Sequence, residues 1–288
     1  MTTPQISFEF FPSRNEVAAS ELMMTAQTLA RFAPRFASVT YGAGGTTQQA
    51  TLDTVAALRQ TTPLRVAAHL TCVGASREET LAAADQFAAA GVTDIVALRG
   101  DPPKGAKGFT PHPDGFASSV ELIAALAGQN RFTLRVGAYP EKHPDSATAQ
   151  ADIDWLKRKL DAGADEAITQ FFFEAETFLR FRDRCAAAGI TAPIIPGILP
   201  VENWQGVRGF AARCGTSVPA WLAEAFERAD RENRSRLFAI AQATDLCSEL
   251  LDEGVEALHF YTLNRADLTT EVCRALGLGP STSLRNVA

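Results

Sequence analysis

Glu9 is the residue in this chain whose surroundings most suggest chemistry. It lies in Gln5-Ile6-Ser7-Phe8-Glu9-Phe10-Phe11-Pro12, where Ile6, Phe8 and Phe10 alternate with Gln5, Ser7 and Glu9. That alternation is the period of a β-strand, and Pro12 ends it. A glutamate in such a strand can point into water, as most do. Alternatively it can sit in a semi-apolar pocket that raises its pKa, and deliver a proton near neutral pH.

Polar groups recur at the ends of other strand-like runs. Thr40 and Tyr41 close the run 36–41, His69 and Thr71 close 65–70, and Arg99 and Asp101 close 94–99. Tyr139 closes 133–139, with His143 in the loop beyond it. Thr169 and Gln170 lie in 166–172, and Tyr261 lies in 257–262 ahead of Asn264 and Arg265. The run 193–199 contributes Pro196 and Gly197. Each of these has a plain reading: a packed histidine, a rim tyrosine, a structural Arg99–Asp101 pair. Together they deliver a polar group from nearly every strand.

Helical patterns separate the runs, over 16–32, 48–59, 76–90, 115–127, 147–162 and 176–188. About 50 mostly helical residues precede the last strand, and a short helix over 267–276 follows it. Ser76 with Glu79 three residues on reads as a capping box, and Gly91, Gly163 and Gly189 read as helix stops. Glycine-rich or polar loops are read at 42–47 and 100–108. Eight strands alternating with helices imply a parallel sheet, and eight is the number that closes an α/β (β/α)8 TIM-type barrel. The extra helices fall between strands seven and eight. With no linker or composition break, the expectation is one domain over 1–288. An open doubly wound sheet would want G-x-G-x-x-G after the first strand, where none occurs. In a barrel, the site lies at the C-terminal ends of the strands.

Composition excludes several classes. The chain has 288 residues, 46% hydrophobic and 21% charged, with net charge −6. Its pI near 5.3 and scattered lysines (Lys104, Lys107, Lys142, Lys157 and Lys159) disfavour nucleic acid. No run is long and apolar enough to suggest a membrane span, and Met1–Gln5 does not look like a signal peptide. Cys72, Cys185, Cys214, Cys247 and Cys273 lack pairing or metal-ligand spacing, so reduced thiols, a cytoplasmic setting and no metal are expected. No lysine at a strand end suggests a Schiff base, and no G-x-S-x-G elbow occurs. What remains suits proton transfer by Glu9 and binding of a large planar ligand. Composition and spacing do not name the reaction.

The strand-end motifs carry a resemblance. Ser7-Phe8-Glu9-Phe10-Phe11-Pro12, Val39-Thr40-Tyr41-Gly42-Ala43, His69-Leu70-Thr71-Cys72, Leu98-Arg99-Gly100-Asp101 and Ala138-Tyr139-Pro140-Glu141 resemble those of methylenetetrahydrofolate reductases. So do Ile168-Thr169-Gln170-Phe171-Phe172, Pro196-Gly197-Ile198-Leu199-Pro200 and His259-Phe260-Tyr261-Thr262-Leu263-Asn264, over about residues 5–276. The resemblance implies a barrel that holds FAD non-covalently and takes hydride from NADH or NADPH. It passes that hydride, in ping-pong fashion, to 5,10-methylenetetrahydrofolate, giving 5-methyltetrahydrofolate. It also implies that Glu9 is the general acid and that Asp101 stands near flavin and pterin. Gln170, Trp204 and Tyr261 would meet substrate. Thr40, His69, Arg99, Asp101, Tyr139, His143, Asp152 and Lys159 would contact FAD. Trp204 stands where a familiar bacterial form has Phe, which leaves the stacking detail open. A homo-oligomer is implied, and feedback by S-adenosylmethionine is not expected. Two alternatives stay open: a flavin- or folate-binding barrel without turnover, and a folate-dependent methyltransferase barrel.

Overall fold

The structure, a computed structural model, describes residues 3–41, 48–101, 105 and 108–279. The loop read at 42–47 and most of that read at 100–108 lie outside them. The strands are β1 (Gln5–Phe10), β2 (Ala37–Val39), β3 (Val66–Thr71), β4 (Asp94–Leu98), β5 (Thr133–Ala138), β6 (Glu166–Thr169), β7 (Ile194–Ile195), β8 (Gly197–Ile198) and β9 (Ala257–Tyr261). All pair in parallel, in the order β7-β6-β5-β4-β3-β2-β1-β9-β8.

The two ends of that order are halves of one stave. Pro196 divides β7, which pairs with β6, from β8, which pairs with β9. Proline has no N–H to give a ladder, but its carbonyl accepts from the His259 N–H at 3.0 Å. The single run read at 193–199 therefore closes the sheet as an eight-stave barrel of the TIM type. The strands are shorter than their sequence patterns because ladder pairing ends before the apolar run does.

Helices α1 (Glu16–Ala30), α2 (Gln48–Thr61), α3 (Arg77–Ala89), α4 (Ser119–Ala127), α5 (Ala149–Asp161) and α6 (Ala175–Ala187) alternate with the strands. Asn15, Ser76, Ser118 and Thr148 cap four of them through side-chain oxygens, and Ser76 with Glu79 completes the capping box. Gly163, at φ +112°, takes a conformation that few other residues adopt, and an added Cβ would meet Ala127 Cβ at 2.6 Å. Between β8 and β9 lie α7 (Trp204–Cys214), α8 (Ala220–Arg231) and α9 (Ser235–Asp252), and α10 (Asp267–Ala275) follows β9. No helix among the described residues is long and apolar enough to cross a membrane.

Alternate residues on each strand serve different layers. Phe8, Phe10, Leu258 and Phe260 join the large core against the helices. Phe36, Ala67, Val96 and Ile168 form a separate cluster inside the barrel. Beneath it, near the strand starts, the lumen is filled by charge. Arg135 binds Asp94 at 2.5 Å and also Glu166, while Arg65 reaches Asp94 at 2.5 Å and Arg35 reaches Glu166 at 3.1 Å. Burial works to raise the Asp94 pKa, but hydrogen bonds from Arg65 and Arg135 hold it below the usual range. Such a buried network is costly to break on one side. Asp94→Ala should lower unfolding free energy by about 3–5 kcal/mol. Arg180→Ala, in an exposed pair with Glu176, should cost under about 1 kcal/mol. Urea denaturation of the two variants checks this contrast.

Candidate active site

Glu9 is held at the mouth of the lumen by its register. It faces Ser38 of β2 on one side and Tyr261 of β9 on the other, and Ser7 faces His259 two residues below. Residues i and i+2 share a strand face, so Ser7 and Glu9 point the same way, as do His259 and Tyr261. His69 comes in from β3. Its Nε2 lies 3.3 Å from Glu9 Oε2, and His259 Nε2 lies 3.8 Å from the same oxygen. The Glu9 side chain keeps 20% exposure, whereas His259 has none.

This arrangement corrects the expected electrostatics. Burial alone would raise the Glu9 pKa, as the strand pattern led one to expect. The contacts with His259 and His69, and their charges, outweigh burial and hold it at about 2. Glu9 is thus ionised at neutral pH, with the Nε2 atom of each imidazole facing it. Burial lowers the pKa of His259, against the opposing pull of Glu9, so its neutral form is favoured. A carboxylate set against imidazoles in a half-dry mouth can exchange a proton with a bound heterocycle.

A second grouping occupies the rim beyond β4 and β5. Arg99 pairs with Asp145 at 2.9 Å, and its Cζ lies 5.2 Å from the Phe109 ring centroid. Tyr139 stands edge-on to His143 at 4.5 Å. Burial, then the Asp101 charge, pushes the Tyr139 hydroxyl up to about 12. Burial, then Arg99, lowers the His143 pKa. Asp152 accepts from the His143 N–H at 2.8 Å and from Ser146 Oγ at 3.0 Å, which shapes this loop. Lys159 is buried, donates to the Gly137 carbonyl, and has its pKa brought down to about 8 by burial. Asp101 is exposed at the edge of this group.

Thr40 is fixed by backbone, its N–H on Phe10 O at 2.9 Å and its carbonyl accepting from Thr51 at 3.1 Å. Gln170 follows β6, and its Oε1 accepts from the Phe171 N–H at 3.0 Å. Tyr261 donates to the neighbouring Thr169 carbonyl at 2.7 Å, which links β9 to β6 across the mouth. Gly197 admits that crossing: a Cβ there would lie 2.2 Å from Thr169 O and 2.6 Å from the Tyr261 ring.

Trp204 stands apart. Instead of presenting its indole to the mouth, it is buried and stacked on Phe226 at 4.6 Å and 8°. With Glu202, Glu227, Asp230 and Arg231 it lines a separate cleft of about 400 Å³ among α7, α8 and the start of α9. One ring face is therefore already occupied. Sequence reasoning gave no role to His259, Ser7 or Arg135, although His259 lies two residues before Tyr261 on the same strand face. The buried Ser38 and Thr71 hydroxyls, without hydrogen-bond partners, are further polar groups at this end.

Comparison with known proteins gives this geometry a context. The sequence profile of the methylenetetrahydrofolate reductase family matches residues 1–277. A 5,10-methylenetetrahydrofolate reductase of Pectobacterium carotovorum is 43% identical over 277 residues, covering 96% of this chain and 91% of the relative. The Escherichia coli K12 protein of that name is 43% identical over 276 residues, with the same coverage. Methylenetetrahydrofolate reductase (NADH) 1 of Arabidopsis thaliana is 35% identical, covering 94% of this chain and 48% of its own. Among solved structures, a Clostridium thermocellum protein that binds two copies of 5-methyl-5,6,7,8-tetrahydrofolic acid aligns with TM-score 0.60 at 15% identity, over 96% of this chain and 94% of that one. A Coxiella burnetii dihydropteroate synthase in complex with pteroic acid aligns at 0.53 and 12% identity, over 97% and 94%. At those identities the likeness is one of fold.

The lowered pKa values of Glu9 and His259 set the pH dependence of stability. In both cases the native state binds its proton less readily than the unfolded chain. Their stabilisation is complete above the unfolded pKa and is lost as pH falls, from 6.5 downward for His259 and between 4.5 and about 2 for Glu9. Glu9→Gln should flatten the decline between pH 4.5 and about 2, as read by urea midpoints against pH. The His259 limb below 6.5 should persist and extend further down, because Glu9 no longer favours the imidazolium.

Proposed function

The chain belongs to the methylenetetrahydrofolate reductase family, and from that premise we propose that it reduces 5,10-methylenetetrahydrofolate to 5-methyltetrahydrofolate. NADH or NADPH is the hydride source and FAD the non-covalent carrier, serving the two substrates in turn. The observation that carries this reading is Glu9, a half-dry carboxyl group at the barrel mouth, within 3.3 Å of one imidazole and 3.8 Å of another.

The rim residues suit such a carrier. Arg99, His143 and the partnerless Thr71 hydroxyl offer donors of the kind that pyrophosphate and ribose accept. FAD, when bound, would supply the redox chemistry, accepting hydride from the nicotinamide and passing it to the methylene carbon. Tyr139 and Thr40 would border it, Asp152 would brace the β5–α5 loop beside it, and Lys159 would lie beneath it against the end of β5.

The chain's own chemistry is acid catalysis. Opening the methylene bridge breaks a carbon–nitrogen bond and leaves an iminium cation. Protonation of the departing nitrogen by Glu9 assists that step. The carboxyl must first hold a proton, which the two imidazoles oppose in the open mouth. Substrate covering the mouth removes water from the exposed fifth of the side chain, and that favours the neutral acid. Asp101 supplies a fixed negative charge toward the cation. Gln170 and Tyr261 orient the polar edge of the pterin. Trp204 is assigned no substrate contact, because it is buried and stacked on Phe226 beside a separate cleft.

Purified protein should be yellow, bleach with NADH or NADPH without oxygen, and recover colour on addition of methylenetetrahydrofolate. Colourless protein, or bleaching that the folate cannot reverse, would refute the reading. Glu9→Gln should keep the bleaching step and lose at least about 100-fold in the recovery step. Equal losses in both steps would make Glu9 structural. Asp101→Asn should slow recovery more than bleaching.

A further inference from the structure

Behind Glu9 runs a column of stacked side chains. The Arg135 guanidinium lies 3.8 Å above the Phe36 ring centroid, and the other neighbour of Phe36 is the His259 ring, stacked at 5.7 Å and 21°. His259 Nδ1 meets Ser7 Oγ at 2.8 Å, and its Nε2 faces Glu9 at 3.8 Å with no other partner. Tyr261 closes the ring edge-on at 5.3 Å. His259 is completely buried.

These contacts select one form of the imidazole. Ser7 has a single hydroxyl proton and two acceptors in reach, Nδ1 at 2.8 Å and the Leu258 carbonyl at 3.4 Å. The Glu9 carboxylate facing Nε2 decides between them: it favours the ring proton on Nε2, so Nδ1 accepts from Ser7. That tautomer turns an N–H toward the Glu9 carboxylate, whereas the other would turn a lone pair toward it. Doubly protonated His259 would place a second cation against a ring that already carries Arg135. The charged or titratable groups facing this imidazole are Glu9 from β1, His69 from β3, Tyr261 from β9 and, through Phe36, Arg135 from β5.

We propose that His259 is a positioning residue for Glu9. Ser7 fixes its neutral Nε2–H tautomer, the Arg135–Phe36 stack keeps a second proton off it, and the resulting fixed dipole governs when Glu9 carries the proton it donates. The inference rests on the reading of Glu9 as the acid. His259 itself gains and loses no proton during turnover. Arg135, on the floor of the lumen, thereby acts on chemistry at the mouth.

Nitrogen-15 spectra of the histidine side chains in the purified protein test the tautomer without recourse to activity, with His259→Gln assigning the signal. A protonated Nε2 and an unprotonated Nδ1, unchanged from about pH 8 to about pH 5.5, are expected. An imidazolium or an Nδ1–H form in that range overturns the proposal. Ser7→Ala frees the tautomer, so the pH profile of the folate half-reaction should move up by about one unit, a tenfold change in proton concentration. The nucleotide half-reaction should be unmoved, and Ser7→Thr should restore the profile. Superimposed profiles for Ser7→Ala and the parent overturn it. If Glu9→Gln loses both half-reactions equally, the acid assignment fails while the His259 spectrum stands, so the two failures are told apart.

Discussion

A closed eight-stave barrel has a lumen that side chains must fill, and in this chain the filling begins with Arg135. Its guanidinium satisfies two buried carboxylates, Asp94 and Glu166, and those in turn reach Arg65 and Arg35 outside the lumen. Replacing the whole buried network by apolar residues of similar volume is often neutral or stabilising, whereas removing Arg135 alone would strand two buried acids. What the ionic floor adds is direction. It places a cation against Phe36, the ring on which His259 also stacks, and in the proposed arrangement this keeps the imidazole neutral.

From the floor upward, polarity is graded. The Phe36, Ala67, Val96 and Ile168 layer is dry, His259 is buried within reach of it, and Glu9 is the point at which water enters. Two opposing effects meet there. Removal from water favours the neutral acid, whereas two imidazoles favour the carboxylate. A group balanced in this way responds to any ligand that removes the remaining water. The same site can thus keep a carboxylate while open and produce an acid when covered, which burial alone would not achieve.

Much of the barrel was legible because strand alternation and helix caps are local. Ser76 with Glu79 and the Phe8/Phe10 alternation needed no distant partner to be read. The split of the seventh stave was not read, since only pairing shows that Pro196 divides it between β6 and β9. Glu9 and the strand-end groups were found from position, but the sign of the Glu9 shift was not. His69 and His259 arrive from strands remote in sequence, and a single-strand pattern contains burial but not partners. Arg135 was invisible for the same reason, as a charged residue within a strand that reads as exposed until its two acids are in place. The resemblance places Trp204 at the substrate, but the Phe226 face that covers it belongs to α8, some distance along the chain.

The mouth is asymmetric, and the asymmetry has a structural origin. On the β4–β5 side loops bring Arg99 and His143, with Asp145 pairing Arg99 and donating its N–H to His143, while helix α5 brings Lys159 and the Asp152 that accepts from the His143 backbone. On the β9–β1 side the strands themselves bring Glu9, His259 and Tyr261. Groups carried by loops can shift to follow a large ligand, whereas groups carried by paired strands keep their separations to within the tolerance of a ladder. The proposed acid step at one nitrogen would require the second kind of support, and the proposed contact with a dinucleotide would be served by the first. Tyr261 connects the halves, because its hydroxyl is committed to the Thr169 carbonyl beside Gln170. That contact exists only because residue 197 lacks a side chain where the ring crosses. A glycine on the stave that closes the barrel therefore admits the contact that ties the Glu9 side of the mouth to β6.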